Sequence, residues 1–270
     1  MKKANVKSLV IGALLLIPTM LAIFPFAYML ITSLRQTYSM DLNLDLAGLN
    51  FKNYITIFKN YDFARYFTNS IIVVIFACVL NCLISSLAAY GFAKKKFAGK
   101  EFIFWIYLAT LMIPSQVILV PMSVIIRTLG ISNTYPALFL PIINAFGVFL
   151  VKQFMESIPD DLLEAARIDG CGELRMFFRI VMPLVKPVLV SLTVFTFISS
   201  WNDFVWPLIS ITKQSMNTLT LALSSLQGNY ATNYGLVMAG ATLTFLPPFI
   251  LYIFLQKQFV EGIALSGIKG

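Results

Sequence analysis

The chain has 270 residues, 59% of them apolar and only 12% charged, with a formal net charge of +8. So apolar a balance exceeds what a soluble domain buries and places the chain among polytopic membrane proteins. Its basic residues gather at the edges of apolar blocks without an interleaved aromatic face, a pattern suited to an anionic lipid surface and not to nucleic acid.

A helix crossing a hydrocarbon core of roughly 30 Å needs about 20 mostly apolar residues, and in lipid the backbone must satisfy its own hydrogen bonds. Six blocks meet that demand, predicting an all-α polytopic fold with six transmembrane helices: Leu9 to Ile31, Asn69 to Phe92, Phe102 to Ile126, Tyr135 to Val151, Val188 to Ile209 and Leu236 to Leu255. The first follows Lys2, Lys3 and Lys7 as a secretory signal would. Its run of 23 residues is too long for a signal core and no A-x-A-like cleavage site follows, so it is read as a retained anchor.

A polar outer segment, Thr32 to Thr68, precedes the second block and carries Asn43, Asn53, Tyr54 and Tyr61. Within the second block, Asn81 and Ser85 are polar positions, and Ser85 with Ala89 forms a small-xxx-small pair expected to pack against a neighbouring helix. The fourth block contains Asn144. A second outer segment, Ser210 to Tyr234, is rich in amides, among them Gln214, Asn217, Gln227, Asn229 and Asn233. Gly235 and Ala239 repeat the small-residue spacing at the start of the sixth block, where Pro247-Pro248 is expected to kink the helix.

Orientation follows from Lys and Arg placement. With the N-terminus inside, fourteen of the 20 basic residues fall in cytoplasmic segments, and Arg35, Lys52, Lys59, Arg65, Arg127 and Lys213 fall outside. Both termini and the segment between the fourth and fifth blocks are therefore expected in the cytoplasm.

That segment concentrates the chain's charge. Ten of the 32 formal charges lie between Lys152 and Arg179. Ser157, Pro159 and Asp160 form a helix-start signature, with acids suited to the positive end of the helix dipole. The first short helix is expected to end near Ile168, stopped by Asp169-Gly170, because glycine tolerates the left-handed conformation that closes a helix. A second pattern, Glu173 to Val181, ends at Pro183. Asp160, Asp161 and Glu164 would be repelled by an anionic leaflet, which favours docking on another protein over lying on lipid.

In the fifth block Thr193, Thr196, Ser200 and Asp203 recur every three or four residues, within a stripe of roughly 80° on a helix. Two readings stay open: with Asn144 and Asn81 they line a polar path, or they bond neighbouring helices. Trp201 and Trp206 read as interfacial anchors.

Several chemistries are excluded. Absence of histidine removes His-based triads, and Cys78, Cys82 and Cys171 lack zinc spacing. No phosphate-binding loop is present, since Gly99-Lys100 is followed by Glu101 and lacks the preceding glycine. The chain is therefore expected to bind no cofactor and to catalyse nothing itself.

Glu164, Ala165, Ala166, Asp169, Gly170, Ile180 and Pro183 resemble the EAA loop of ABC-importer permeases. Together with the Trp201 to Leu208 run and the tail Gln256 to Gly270, they make the chain similar to the MalG-type permease subunit of carbohydrate importers. Cys171 and Glu261 depart from the usual Ala and basic residue of that pattern. The resemblance implies a MetI-like type I core over residues 66–257 with the coupling loop at 152–187, an N-terminal part over 1–65 and a cytoplasmic tail over 258–270. It implies a second homologous permease, a dimer of cytoplasmic subunits that bind ATP and Mg, and an external solute-binding protein. Glu164, Ala165, Ala166, Asp169, Gly170 and Pro183 would then couple ATPase motion to alternating access for an oligosaccharide, sugar or polyol in a bacterial or archaeal cytoplasmic membrane. The alternatives are an ABC permease for a non-sugar solute and an ion-coupled secondary transporter; the latter would need carboxylates near the centre of a span, and Asp203 lies near an end.

Overall fold

In the computed structural model the described residues are 6–41, 46, 48–226 and 232–267, with side chains at 6–10, 13 and 257–267 excluded. Asn43, Gln227, Asn229 and the side chains of the tail from residue 257 on, Glu261 among them, lie outside that set. Every regular element among the described residues is helical.

Three helices are long and apolar enough to span a bilayer as single rods: Leu14–Ser33 within α1 (Val6–Ser33), α3 (Phe63–Lys94), and Tyr234–Gln256 within α14 (Tyr234–Gly267). The third and fourth expected spans are bent, and the fifth meets the polar segment before it at an angle. Lys100–Met112 and Ser115–Thr128 meet at 104°, Tyr135–Ile142 and Ala145–Glu156 at 47°, and Glu173–Leu184 and Lys186–Asn202 at 77°. Counting each bent pair as one span gives six.

The bends have local causes. In the third block α4 (Lys100–Ala109) is followed by a 3-10 turn, and Ile113 is extended because it precedes Pro114, which caps α5 (Ser115–Thr128). The fourth block starts as α6 (Tyr135–Phe139), tightens through a 3-10 turn at Leu140–Ile142, and restarts as α7 (Ala145–Glu156) after an extended Asn144. Before the fifth block, α8 (Asp160–Ile168) and α9 (Glu173–Met176) lead through a π turn, Phe177–Val181, into α10 (Met182–Leu184), and α11 (Lys186–Asn202) turns away at Val185. Pro183 lacks the N–H that would continue the ladder, and the widened turn lies immediately before it.

One expected boundary needs correction. The fifth helix ends at Asn202 and not Ile209, because Asp203 is extended and its carboxylate accepts the Trp206 N–H at 3.2 Å, opening α12 (Val205–Ser210). A short α13 (Leu219–Ser224) follows in sequence, and α14 runs through Pro247-Pro248 without interruption.

The chain divides into two compact units, residues 1–64 with 222–247 and residues 65–221 with 248–270. In the first, α2 (Lys52–Asn60) is stitched to the end of α1: buried Asn53 donates to the carbonyls of Ser33 at 2.8 Å and Arg35 at 2.6 Å. Gly235 packs here against backbone, since a Cβ would collide with the Arg35 carbonyl. This connecting segment is thus partly structural and not merely solvated.

The second unit holds a core in which Ala89 and Tyr90 of α3, Val151 and Met155 of α7, Leu163 and Ala166 of α8, Phe177, and Leu192 of α11 pack together. Trp201 and Trp206 belong to the interior, correcting their reading as interfacial anchors. Trp206 is 4% exposed and its indole N–H donates to the Ala137 carbonyl at 2.8 Å; Trp201, 2% exposed, stacks on Phe197 at 5.7 Å. A buried indole is stable where its single donor finds a carbonyl, as Trp206 does.

Candidate functional site

The polar segment folds as a helical hairpin on the end of α3. Ser157 closes α7, donating to the Phe154 carbonyl at 2.7 Å, so the expected Ser157 cap on α8 does not form; Pro159 occupies that place and Asp160 pairs elsewhere. The stop is as expected. Gly170 has φ +73, its N–H reaches the Arg167 carbonyl at 3.0 Å and the Cys171 N–H reaches Ala166 at 2.9 Å, the paired bonds of a Schellman closure. Space around the Gly170 α-carbon is open within the chain, so the glycine is required by backbone conformation and not by lack of room.

α8 divides sharply by face. Leu163, 2% exposed, and Ala166 join the core, while Asp161, Leu162, Glu164, Ala165, Ile168 and Asp169 face outward. Ile168 is 86% exposed and Leu174, just past the turn, 72%. Large apolar side chains left this exposed are a feature of interaction surfaces. Pro183 is also exposed, at the end of the second arm.

The hairpin is tied to α3 by charge. Lys94, its side chain 4% exposed, donates to Asp160 at 2.7 Å and to the Ile158 carbonyl at 2.5 Å. Glu173 takes a bond from Lys95 and one from the Tyr90 hydroxyl at 2.9 Å, and lies 3.5 Å from Arg167. Lys94 holds the Asp160 carboxyl below its ordinary range; Lys95, then Tyr90, do the same for Glu173. Lys152 bonds Glu156 at 2.6 Å and lies 4.3 Å from the Phe104 ring centre, bringing the start of α4 to the same end. Sequence reasoning missed Lys94, Lys95 and Tyr90 as partners of the loop, and Glu173 as the loop residue on which two of them converge. The run Lys94 to Lys96 was the available signal, but charge bias reads it only as a topology marker.

The predicted path residues separate. Asn81 donates to Thr196 at 2.9 Å and accepts from Ser85 at 3.0 Å, all three buried. Thr193 lies 3.3 Å from the Cys82 thiol, and Ser200 is buried. Gly147 of α7 comes so near that a Cβ would stand 3.0 Å from Asn81 Oδ1. Thr193, Thr196 and Asn81 therefore meet in a seam between α3 and α11 within this chain, with Gly147 of α7 beside it. Asp203 caps α12. Asn144 alone of the set is exposed, at the break in the fourth span, its side chain accepting the Phe146 N–H at 3.0 Å. Cys78, Cys82 and Cys171 are free thiols.

Residues 81–264 match the family described as "Binding-protein-dependent transport system inner membrane component". The chain belongs to this family. Its members are transport permeases and not catalysts, and the chain is an inner-membrane component of an ABC transporter. It is 34% identical over 93% of its length to an arabinooligosaccharides transport system permease protein of Bacillus subtilis, covering 92% of that protein. It is 34% identical to a lactose transport system permease protein of Rhizobium radiobacter, covering 92% of each chain. A melibiose/raffinose/stachyose import permease of Bacillus subtilis is 32% identical over the full length of both. In fold it is similar to a chain of a bacterial ABC transporter importing the acidic polysaccharide alginate, with a TM-score of 0.83 at 21% identity, covering 95% of this chain and 98% of that one.

Proposed function

We propose that this chain is the permease subunit of an ATP-driven importer for a carbohydrate, and that the α8–α9 hairpin receives the motion of separate ATPase subunits. The observation that carries the coupling role is the two-faced α8, anchored inward by Leu163 and Ala166 and presenting Glu164, Ala165, Ile168 and Asp169 outward. The sugar class rests on relatives named for arabinooligosaccharides, lactose and melibiose/raffinose/stachyose. An external binding protein is supported by the family's description and by a second solved alginate transporter in complex with a pentasaccharide-bound periplasmic protein, TM-score 0.64.

The assembly would contain a second homologous permease and two cytoplasmic subunits holding ATP and Mg, with none bound by this chain. Both termini and the hairpin would lie in the cytoplasm, residues 66–257 would form the permease core, and Glu164, Ala165, Ala166, Asp169, Gly170 and Pro183 would carry coupling. On that threading Cys171 labels from the cytoplasmic face and a cysteine replacing exposed Lys213 from the outside; labelling of both from one side would refute it. Within the path set, exposure singles out Asn144: an amide at a mid-span break is costly toward lipid and suits a polar channel or the second permease.

The test is reconstitution of the transporter with its binding protein and uptake of a panel containing arabinotriose, lactose, raffinose, an amino acid and a phosphate ester. ATP-dependent accumulation of one of the sugars is expected. Uptake of the amino acid alone would overturn the sugar reading, and uptake driven by an ion gradient without ATP would overturn the coupling role.

A further inference from the structure

We propose that Glu173 is the positioning residue that stiffens the coupling hairpin, making its two arms and the end of α3 move as one body. The proposal rests on the coupling role given to the hairpin above and names how that site transmits force. The two arms are joined by Gly170-Cys171-Gly172, a linker with a glycine at each end and open space around both glycines. Left alone, such a linker bends easily, because glycine restricts the backbone least. A push on the outward face of α8 would then be spent on closing the hairpin instead of moving a span.

Glu173 bridges the linker. One carboxylate oxygen accepts from the Tyr90 hydroxyl at 2.9 Å and from Lys95; the other lies 3.5 Å from Arg167 on α8. A single side chain thus connects α9, α8 and α3, immediately after the flexible link. Tyr90 is 7% exposed and its ring lies 5.4 Å from that of Phe177, so the strut is seated on the core and not on a mobile surface group. Lys95 also lies 4.8 Å from the Tyr90 ring centre. At the far end of α8, Lys94, the last residue of α3, holds Asp160 at 2.7 Å, so the helix is tied near its start to α3 and near its end, through Arg167, to Glu173. Ordinary exposed pairs contribute little. This carboxylate differs in accepting a hydroxyl from the core as well as an ammonium, in a geometry that ties three elements.

The test measures ATP hydrolysed per sugar imported in the reconstituted transporter, using whichever of arabinotriose, lactose and raffinose its binding protein retains. Glu173→Gln is expected to raise that ratio by roughly fivefold, the scale set by a lost charge-assisted hydrogen bond; Lys95→Met, which leaves the Tyr90 and Arg167 contacts in place, raises it less, and Lys95→Arg keeps it near the original. The double should equal Glu173→Gln alone, since removing the carboxylate charge already breaks the Lys95 pair; additive effects would overturn the pairing. The amount of ATPase retained in the purified complex separates transmission from docking. Loss of the ATPase from the Glu173→Gln complex would make Glu173 a docking contact and overturn the strut. Glu164→Lys and Gly170→Val serve as the reference. If these two leave ATPase retention and uptake intact, the coupling role itself fails; if they impair either and Glu173→Gln leaves the ratio unchanged, only the strut fails.

Discussion

The Asn81 amide donates to the Thr196 hydroxyl at 2.9 Å, joining α3 to α11 across 115 residues of sequence. The Thr196 hydroxyl in turn donates to the Leu192 carbonyl at 2.8 Å, and Ser85 donates to the Asn81 oxygen at 3.0 Å, so the seam is a directed chain of bonds. Between membrane helices such a bond contributes on the order of 0.6 to 2 kcal/mol. Asn81→Ala should lower the detergent melting temperature more than Thr196→Val, because it strands Ser85 as well. The double variant should fall short of the sum of the two.

Path and seam predict opposite reactivities. A cysteine replacing Thr196 should resist small water-soluble maleimides, and one replacing Asn144 should react in the assembled transporter at a rate that changes with ATP. Rapid labelling at residue 196 would restore the path reading of the stripe.

Gly147 is expected to tolerate nothing larger. Its missing Cβ is occupied by Ser85 Oγ, and the Ser85 Cβ would stand 3.2 Å away. Gly147→Ala should destabilise by about 1 to 3 kcal/mol through overpacking, and Gly147→Ala with Ser85→Ala should recover part of that loss in the same melting experiment.

At Gly170 the penalty comes from φ +73. A β-branched residue there costs about 1 to 2 kcal/mol in local conformation, and asparagine, which tolerates that region, costs less. Uptake should fall modestly in Gly170→Asn and further in Gly170→Val, with insertion of the protein unchanged in both. Equal loss for the two substitutions would locate the requirement in contact with a partner and not in backbone conformation.

Acid should loosen the hairpin. Asp160 and Glu173 both have carboxyl groups held below their ordinary range by Lys94 and Lys95. A carboxylate with a depressed folded value adds stability that is present above its unfolded value and lost as pH falls through the folded one. Protection from hydrogen exchange across residues 160–176, corrected for intrinsic rates, should stay level at neutral pH and decline below the ordinary carboxylate range, about pH 4. Asp160→Asn with Glu173→Gln should flatten the profile.

The sequence by itself determined the class, the number and rough extent of the spans, and the end of α8 at Asp169-Gly170. Each of these rests on local physics: about 20 apolar residues for a bilayer, and a left-handed glycine for a helix stop. Only the tertiary structure decided that two spans bend and that α11 leaves the polar segment at an angle, that Trp201 and Trp206 are interior, that the Thr193 and Thr196 face meets α3, and that Glu173 bonds Tyr90 across 83 residues. Composition reports how apolar a helix is and not which neighbour it meets. A hydroxyl stripe reads the same toward water as toward an asparagine on another helix, and a lysine run reads the same on lipid as on a carboxylate. The choice belongs to the threading of helices far apart in the chain, where a buried polar group is stable only once its partner has been brought to it.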